Sequence, residues 1–281
     1  MTTPHKKIDN IMQYMPLPIP DDLSSAVESI FYLGDYTPAH EKERLVPDGL
    51  ISLIIELDDQ PCYVTELAQQ SVKVHCIGSW LSGFHDSAMV FTTPANTKLV
   101  AVRFYPAGLY EFIAGDAAPF TNQVVPGCAV FGSKITALRE QLLREPSPEK
   151  ILEVFADWLT HQRSKRQDLA VRQVIEQLLH NPTAETLKQA LDAQPYSHKH
   201  FVKLFTEHTG TTPKRLQRIL RFQQIFQAIQ RADKVSWGTI SHDCGYYDQA
   251  HFIKEFKAFS GINPKEYLAL DTDRQNFFPE R

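Results

Sequence analysis

The spacing of apolar residues changes character along the chain. Between residues 50 and 104 they fall in short β-type runs, over 50–57, 61–65, 72–77, 88–92 and 99–104, bounded by the turn residues Pro47-Asp48-Gly49, Gly78, Gly83 and Pro94. Such runs predict strands, and their number and spacing predict a small antiparallel barrel or sandwich. A Pro-rich entry (Pro16, Pro18, Pro20) precedes them. Further on the period becomes helical. One helix is predicted over 134–144. A second has Ser147 as N-cap and Pro148 at its first position, and runs to about His161. The fold class expected is α+β: a β-rich domain with a helical coda, then an all-α domain.

The all-α part repeats itself. Residues 196–216 and 247–267 superpose without a gap and share eight of 21 positions, from Tyr196 with Tyr247 to Lys214 with Lys265. In the first copy Phe201, Leu204 and Phe205 lie at i, i+3 and i+4; Phe252 and Phe256 repeat the stripe in the second, so each copy predicts an amphipathic helix. Ser197 and Asp248 are suitable N-caps, and Gly210 and Gly261, each with a Pro three residues on, predict a stop and a restart. A shorter helix precedes each copy, over 183–192 with Leu187 and Leu191 inward, and over 236–244 with Trp237, Ile240 and Cys244 inward. One long helix over 213–231 joins the units, with Leu216, Ile219, Leu220, Ile225, Phe226 and Ile229 as its buried stripe.

Two helices joined by a tight turn, the second with an outward polar and basic face, form a helix-turn-helix whose second helix enters the major groove of DNA. The candidate interface comprises the caps Ser197 and Asp248 with His198, Lys199, Val202 and Lys203 in the first unit. In the second it comprises Gln249, Ala250, His251, Ile253 and Lys254. Glutamine can pair bidentately with adenine, while lysine favours guanine or phosphate. Val202, Ala250 and Ile253 have two readings, contact with thymine methyls or packing. Arg215, Arg218 and Arg221 either stabilise the surface of the long helix or grip phosphate. Phe201, Phe205, Phe252, Phe256 and Trp237 read as core.

Composition fits two domains, over 1–162 and 163–281: 281 residues with 43% hydrophobic and 22% charged can fill two cores. The net charge of −4 looks wrong for a DNA binder until the chain is divided. Up to Ser164 there are 12 basic and 20 acidic residues, and from Lys165 on 17 and 13, so the two parts carry −8 and +4. The basic part holds the repeat. Between the domains, HQRSKRQD (161–168) reads as a hinge, or as a solvated helix end.

Other chemistries find little support. Cys62, Cys76, Cys128 and Cys244 form no C-x-x-C pair, and no secretory segment or apolar run of roughly 20 residues is present, so the expected compartment is the cytoplasm, without a membrane partner. His198, His200 and His208 lack the Cys or carboxylate partners of a zinc set, and His75, Cys76 and Cys62 read as packing residues. GSWLSG (78–83) is not a nucleophile elbow. No enzyme activity, metal or cofactor is expected.

WGTISHDCGYYDQAHFIKEFKAFSGINPKEY (237–267) resembles the second helix-turn-helix and signature of the AraC/XylS family of bacterial transcription regulators, and the likeness extends over roughly 168–270. Ser241, where the family usually has Ala, Pro195, where it commonly has a small or polar residue, and Val202 depart from the pattern. RLVPDGLISLIIEL (44–57) and VRFYPAGLYEF (102–112) resemble the sensor domain that often precedes this DNA-binding domain, with Pro106-Ala107-Gly108 in place of Pro-Gly-Gly.

The resemblance implies a sequence-specific regulator with double-stranded DNA as partner, a small-molecule effector at the first domain, a second copy of the chain as a potential partner and, for an activator, contact with RNA polymerase. Candidate effector contacts are Arg44, Asp48, Arg103 and Tyr105, polar residues on or beside apolar strands, with Trp80 as a pocket wall. Their alternative roles are salt bridges, turns and core packing. The competing functional readings are a ligand-independent regulator or architectural binder, and an enzyme domain localised by a DNA-binding module.

Overall fold

The computed structural model describes residues 12–66, 72–231, 235–270 and 276–280. Its strands are β1 (Gln13–Leu17), β2 (Val27–Tyr36), β3 (Lys42–Leu45), β4 (Ile51–Glu56), β5 (Cys62–Glu66), β6 (Val72–Cys76), β7 (Ser79–Ser82), β8 (Met89–Thr92), β9 (Thr97–Phe104), β10 (Val124–Pro126) and β11 (Phe277–Pro279). They pair antiparallel in two sheets, one ordered β1-β2-β9-β4-β7-β10 and the other β11-β3-β8-β5-β6. Ile54, Trp80 and Ala101 of the first sheet share a buried cluster with Cys62, Val64 and Met89 of the second. The expected barrel or sandwich is a sandwich, with no closed barrel among the described residues.

The first sheet is covered on both faces, which explains why its central strands read as nearly unbroken apolar runs. On β9, Val100, Val102 and Phe104 join the core that contains Phe155 and Leu159, while Leu99 and Ala101, at alternate positions, join the inter-sheet cluster. That outer core belongs to α1 (Gly127–Phe131), α2 (Ser133–Leu142) and α3 (Pro148–Gln162). Ser147 caps α3 as expected, its hydroxyl accepting from Lys150 N at 3.4 Å.

Ala107, the residue that breaks the Pro-Gly-Gly pattern, lies at φ 67° in the left-handed region, where glycine is the unstrained choice. Gly108 stays glycine for another reason. A Cβ there would meet Ala26 O at 2.0 Å.

The second domain contains α4 (Leu169–His180), α5 (Ala184–Asp192), α6 (His198–Thr209), α7 (Pro213–Arg231), α8 (Trp237–Asp243), α9 (Gln249–Ser260) and α10 (Pro264–Leu268). Two of the features that bind it to the sandwich lie at its ends. After α10 the chain returns to the second sheet, where Phe277, Phe278 and Pro279 of β11 pair with Leu45, Arg44 and Glu43 of β3. The other is the connection 163–168, which is docked rather than a free hinge or a solvated end. Glu111, 1% exposed, faces Arg163 Nη2 in an ion pair and accepts from Gln167 N at 3.3 Å and Gln167 Nε2 at 3.2 Å. Lys165 lies 3.4 Å from the centre of the Tyr110 ring.

Candidate nucleic-acid interface and sandwich cavity

The two repeats fold to the same local chemistry. The Ser197 hydroxyl accepts from His200 N at 3.3 Å, and Asp248 Oδ1 accepts from His251 N at 2.7 Å, so each N-cap satisfies an orphan donor of α6 or α9. Both helices end on a left-handed glycine, Gly210 at φ 76° and Gly261 at φ 78°. The equivalence goes further than the identical letters. Thr209 Oγ1 donates to Phe205 O and accepts from Thr211 N at 3.1 Å, and Ser260 Oγ donates to Phe256 O and accepts from Ile262 N at 3.3 Å. Both residues are fully buried, and the repeat sets them at the same position. The aligned hydroxyls carry that signal, but two different amino acids hide it from a count of identities.

The inward residues meet their expected roles. Phe201, Phe205, Phe252 and Phe256 are at most 1% exposed, and Trp237 is half-buried with its ring 5.5 Å from that of Phe252. On the opposite face Ser197, His198, Lys199 and Lys203 of the first unit are exposed, as are Asp248, Gln249, Ala250, His251, Ile253 and Lys254 of the second. Val202 is half-buried. His208 is not near this face: it is 4% exposed and stacked on Tyr110 of the sandwich domain at 3.8 Å, and burial lowers its pKa.

The long connector α7 holds the second unit through charge. Glu255 of α9, 3% exposed, receives Arg218 Nε at 2.7 Å and Arg221 Nη2 at 2.6 Å. Burial alone would raise the Glu255 pKa, but the two guanidiniums overcome it and hold the carboxyl below its ordinary value. Arg215 instead reaches Asp86 of the sandwich at 2.6 Å. All three arginines are thus engaged with protein carboxylates at the surface of the connector.

A cavity of about 520 Å³ opens in the sandwich, within the range of small-molecule sites. Its apolar wall includes Phe31, Ile54, Trp80, Phe91 and Leu99. Asp48, Trp80 and Arg103 of the candidate effector contacts are on this wall, with Arg103 ion-paired to Asp48. Arg44 and Tyr105 lie outside the wall. Arg44 instead bonds Ser260 O at 2.9 Å and Glu280 Oε2 at 2.7 Å.

Sequence reasoning passed over Glu43, Glu56, Asn276 and Phe277, which also line the cavity. Glu56 ends an apolar strand as its lone charge, and period 2 puts it on the face of Ile54, which was a usable sign. Its Oε1 accepts from Trp80 Nε1 at 2.9 Å, and burial pushes its pKa up to about 7. A folded-state pKa above the unfolded value means stability present at low pH and lost as pH rises, here between 4.5 and about 7. We expect Glu56→Gln to remove a loss of up to about 3 kcal/mol over that window, checked by urea denaturation on either side of it. Parallel pH profiles for the two proteins would contradict this.

A helix-turn-helix domain model matches residues 190–269, and a model described as a domain of unknown function (DUF6597) matches residues 13–126. The HTH-type transcriptional activator RhaS of Pectobacterium carotovorum is 44% identical over 55 residues, 19% of each chain. The C-terminal domain is a helix-turn-helix domain of AraC type. An uncharacterized HTH-type transcriptional regulator of Haemophilus influenzae is 27% identical over 81 residues, 29% of this chain and 27% of the relative. The chain thus spans less than a third of the length of these curated relatives. Among solved structures, ToxT from Vibrio cholerae in its P21 form gives a TM-score of 0.44 at 10% identity, over 92% of this chain and 98% of that one. The unsaturated fatty acid-bound wild-type ToxT gives 0.38 at 11%, over 90% and 96%.

The helix-turn-helix domain docks on the sandwich by the last turns of α6 and α9. For α6, Ala117 N donates to Glu207 O at 2.7 Å and Thr121 Oγ1 donates to Gly210 O. For α9, Ala88 N donates to Phe259 O at 2.9 Å, and Arg44 holds Ser260 O. These carbonyls are the orphan acceptors of each helix end. Docking by the C-terminal ends leaves the N-terminal halves free.

Proposed function

We propose that this chain is a sequence-specific transcription regulator whose α6 and α9 enter two successive major grooves on one face of a duplex, about 34 Å apart. The observation that supports this most is the pair of capped helices with exposed N-terminal halves, both tied to one connector. The first domain, 1–162, senses an effector in its cavity, and the second, 163–281, binds DNA while lending β11 to the sandwich. Strands β3 and β8 pass from the cavity wall, at Leu45 and Phe91, to the groups that hold the end of α9, Arg44 and the residue before Met89. The anchors of α6 come from a different segment, 117–121. An occupant that moves the second sheet would therefore shift α9 relative to α6, and change the fit to two grooves at once.

The interface residues divide by role. Gln249, at the first position of α9, reads a base, and Lys254, one and a half turns on, grips phosphate. Gln249→Ala should cost about 1–3 kcal/mol on the selected site and little on random duplex. Lys254→Ala should weaken binding to both and reduce the salt slope by about 1. Titration of both variants against both duplexes at several salt concentrations checks this. Unchanged affinity in every titration would remove these residues from the interface. Thermal-shift screening of the full chain, followed by DNA titration with the stabilising compound, tests the sensing part.

A further inference from the structure

The lining of the sandwich cavity is unbalanced in charge. Glu28, Glu43, Asp48, Glu56 and Asp58 border it, and among the described lining residues Arg103 is the one arginine or lysine. Arg103 is already engaged, by Asp48 in a close ion pair and by Glu28 at 4.0 Å. An incoming anion would find no uncommitted guanidinium or ammonium on the wall and would face several carboxylates.

Unused hydrogen-bonding capacity points the same way. Glu56 is 4% exposed, its Oε1 is taken by Trp80, and its Oε2 has no hydrogen-bond partner among the described residues. Asn276 Oδ1, also from the lining, is buried without a donor among the described residues. A buried acceptor such as Asn276 Oδ1 is costly until a donor reaches it, and the second carboxylate oxygen of Glu56 has capacity to spare. Beside Glu56 stands the indole of Trp80, with Phe31 and Phe91 elsewhere in the wall, and aromatic faces attract cations while rejecting anions.

We propose that the cavity takes an apolar organic cation, a protonated amine on an aromatic or aliphatic body, with Glu56 as its counter-charge. This rests on the reading of the sandwich as the effector domain. The ammonium supplies a donor to the oxygens of Glu56 and Asn276 that have none among the described residues, and the body fills the space between the sheets. Binding strengthens as Glu56 ionises. The charged and titratable groups facing Glu56 are Asp58, Arg139, Cys62 and Cys76, and burial holds both thiols well above the range in which Glu56 changes charge.

Three probes of matched size separate the possibilities: 2-phenylethylamine, 3-phenylpropanoate and 2-phenylethanol. Each is titrated into the full chain by calorimetry and then added to a DNA titration. The amine should bind roughly tenfold or more tighter than either of the others, and Glu56→Gln should remove that margin. In the wild-type protein its affinity should rise by a similar factor from about pH 5.5 to about pH 8, because the carboxylate forms over that window. This profile decides the matter if the variant fails to fold. Equal or tighter binding of the carboxylate or the alcohol, no binding of the amine, or a flat pH profile would overturn the proposal. Amine binding that leaves DNA affinity unchanged would uphold the ligand class and instead contradict effector control.

Discussion

Phe256→Ala should lower the unfolding free energy by about 3–5 kcal/mol and abolish specific DNA binding. Phe256 is fully buried at the centre of the second helix-turn-helix unit. Its ring contacts Phe222 at 5.5 Å, Phe252 and Tyr267 at 5.9 Å, Phe226 at 6.1 Å and Trp237 at 6.2 Å. These partners lie on α7, α8, α9 and α10, so truncation opens a cavity where four helices meet, and packed aromatic pairs lose energy beyond their buried area. Urea denaturation followed by tryptophan fluorescence gives the loss directly, and a gel-shift titration gives the consequence. A loss below about 1 kcal/mol, or retained binding, would show that this cluster does not hold the unit together.

The second large effect is at the joint between the domains. Glu111→Ala strands Arg163, whose side chain is 7% exposed and whose remaining bond among the described residues is from Nη2 to Ser25 Oγ at 2.9 Å. Removing one member of a buried ion pair leaves an uncompensated charge and costs about 3–5 kcal/mol. The substitution also deletes both bonds from Gln167, so the connection 163–168 should open to proteases before the rest of the chain unfolds. Denaturation and limited proteolysis of the variant measure the two consequences. Wild-type stability with an uncut connection would contradict the role assigned to Glu111.

Helices and their ends were legible in the sequence because their determinants are local. Ser147, Thr183, Ser197 and Asp248 cap within three residues of themselves, Gly210 and Gly261 stop helices by their own φ, and the long helix was predicted over 213–231, where α7 lies. The exposed and buried faces of α6 and α9 follow from the 3.6-residue period. The β domain was legible in part, with β4, β5, β6, β8 and β9 falling on the predicted runs. Strands β4 and β9 are apolar on both sides and announce themselves, whereas β3 is Lys-Glu-Arg-Leu, with Glu43 buried against Tyr36 and His40 and Arg44 against partners that no local pattern reveals. Arg44 meets Glu280, 236 residues away.

Strand β11 escaped notice for the same reason. Phe277, Phe278 and Pro279 make a strand because β3 lies free at the sheet edge, not because three residues prefer it. Barrel and sandwich could not be told apart, since closure depends on which edges pair. Cavity residues posed a similar limit. Asp48, Trp80 and Arg103 were within reach of reasoning about polar residues on apolar strands, but Arg44 and Tyr105 matched the same description and lie elsewhere. The 161–168 stretch looked solvated because its composition is basic and polar, and only the buried Glu111, 50 residues earlier, gives those charges their place.

The account depends on one chain presenting two reading helices at a fixed separation. Hydroxyl-radical footprinting of the full protein, on a duplex selected from random sequence, tests this most directly. It should show two protected patches about 10 base pairs apart on the same face of the duplex with a single chain bound. A single patch, or two patches on opposite faces, would contradict it.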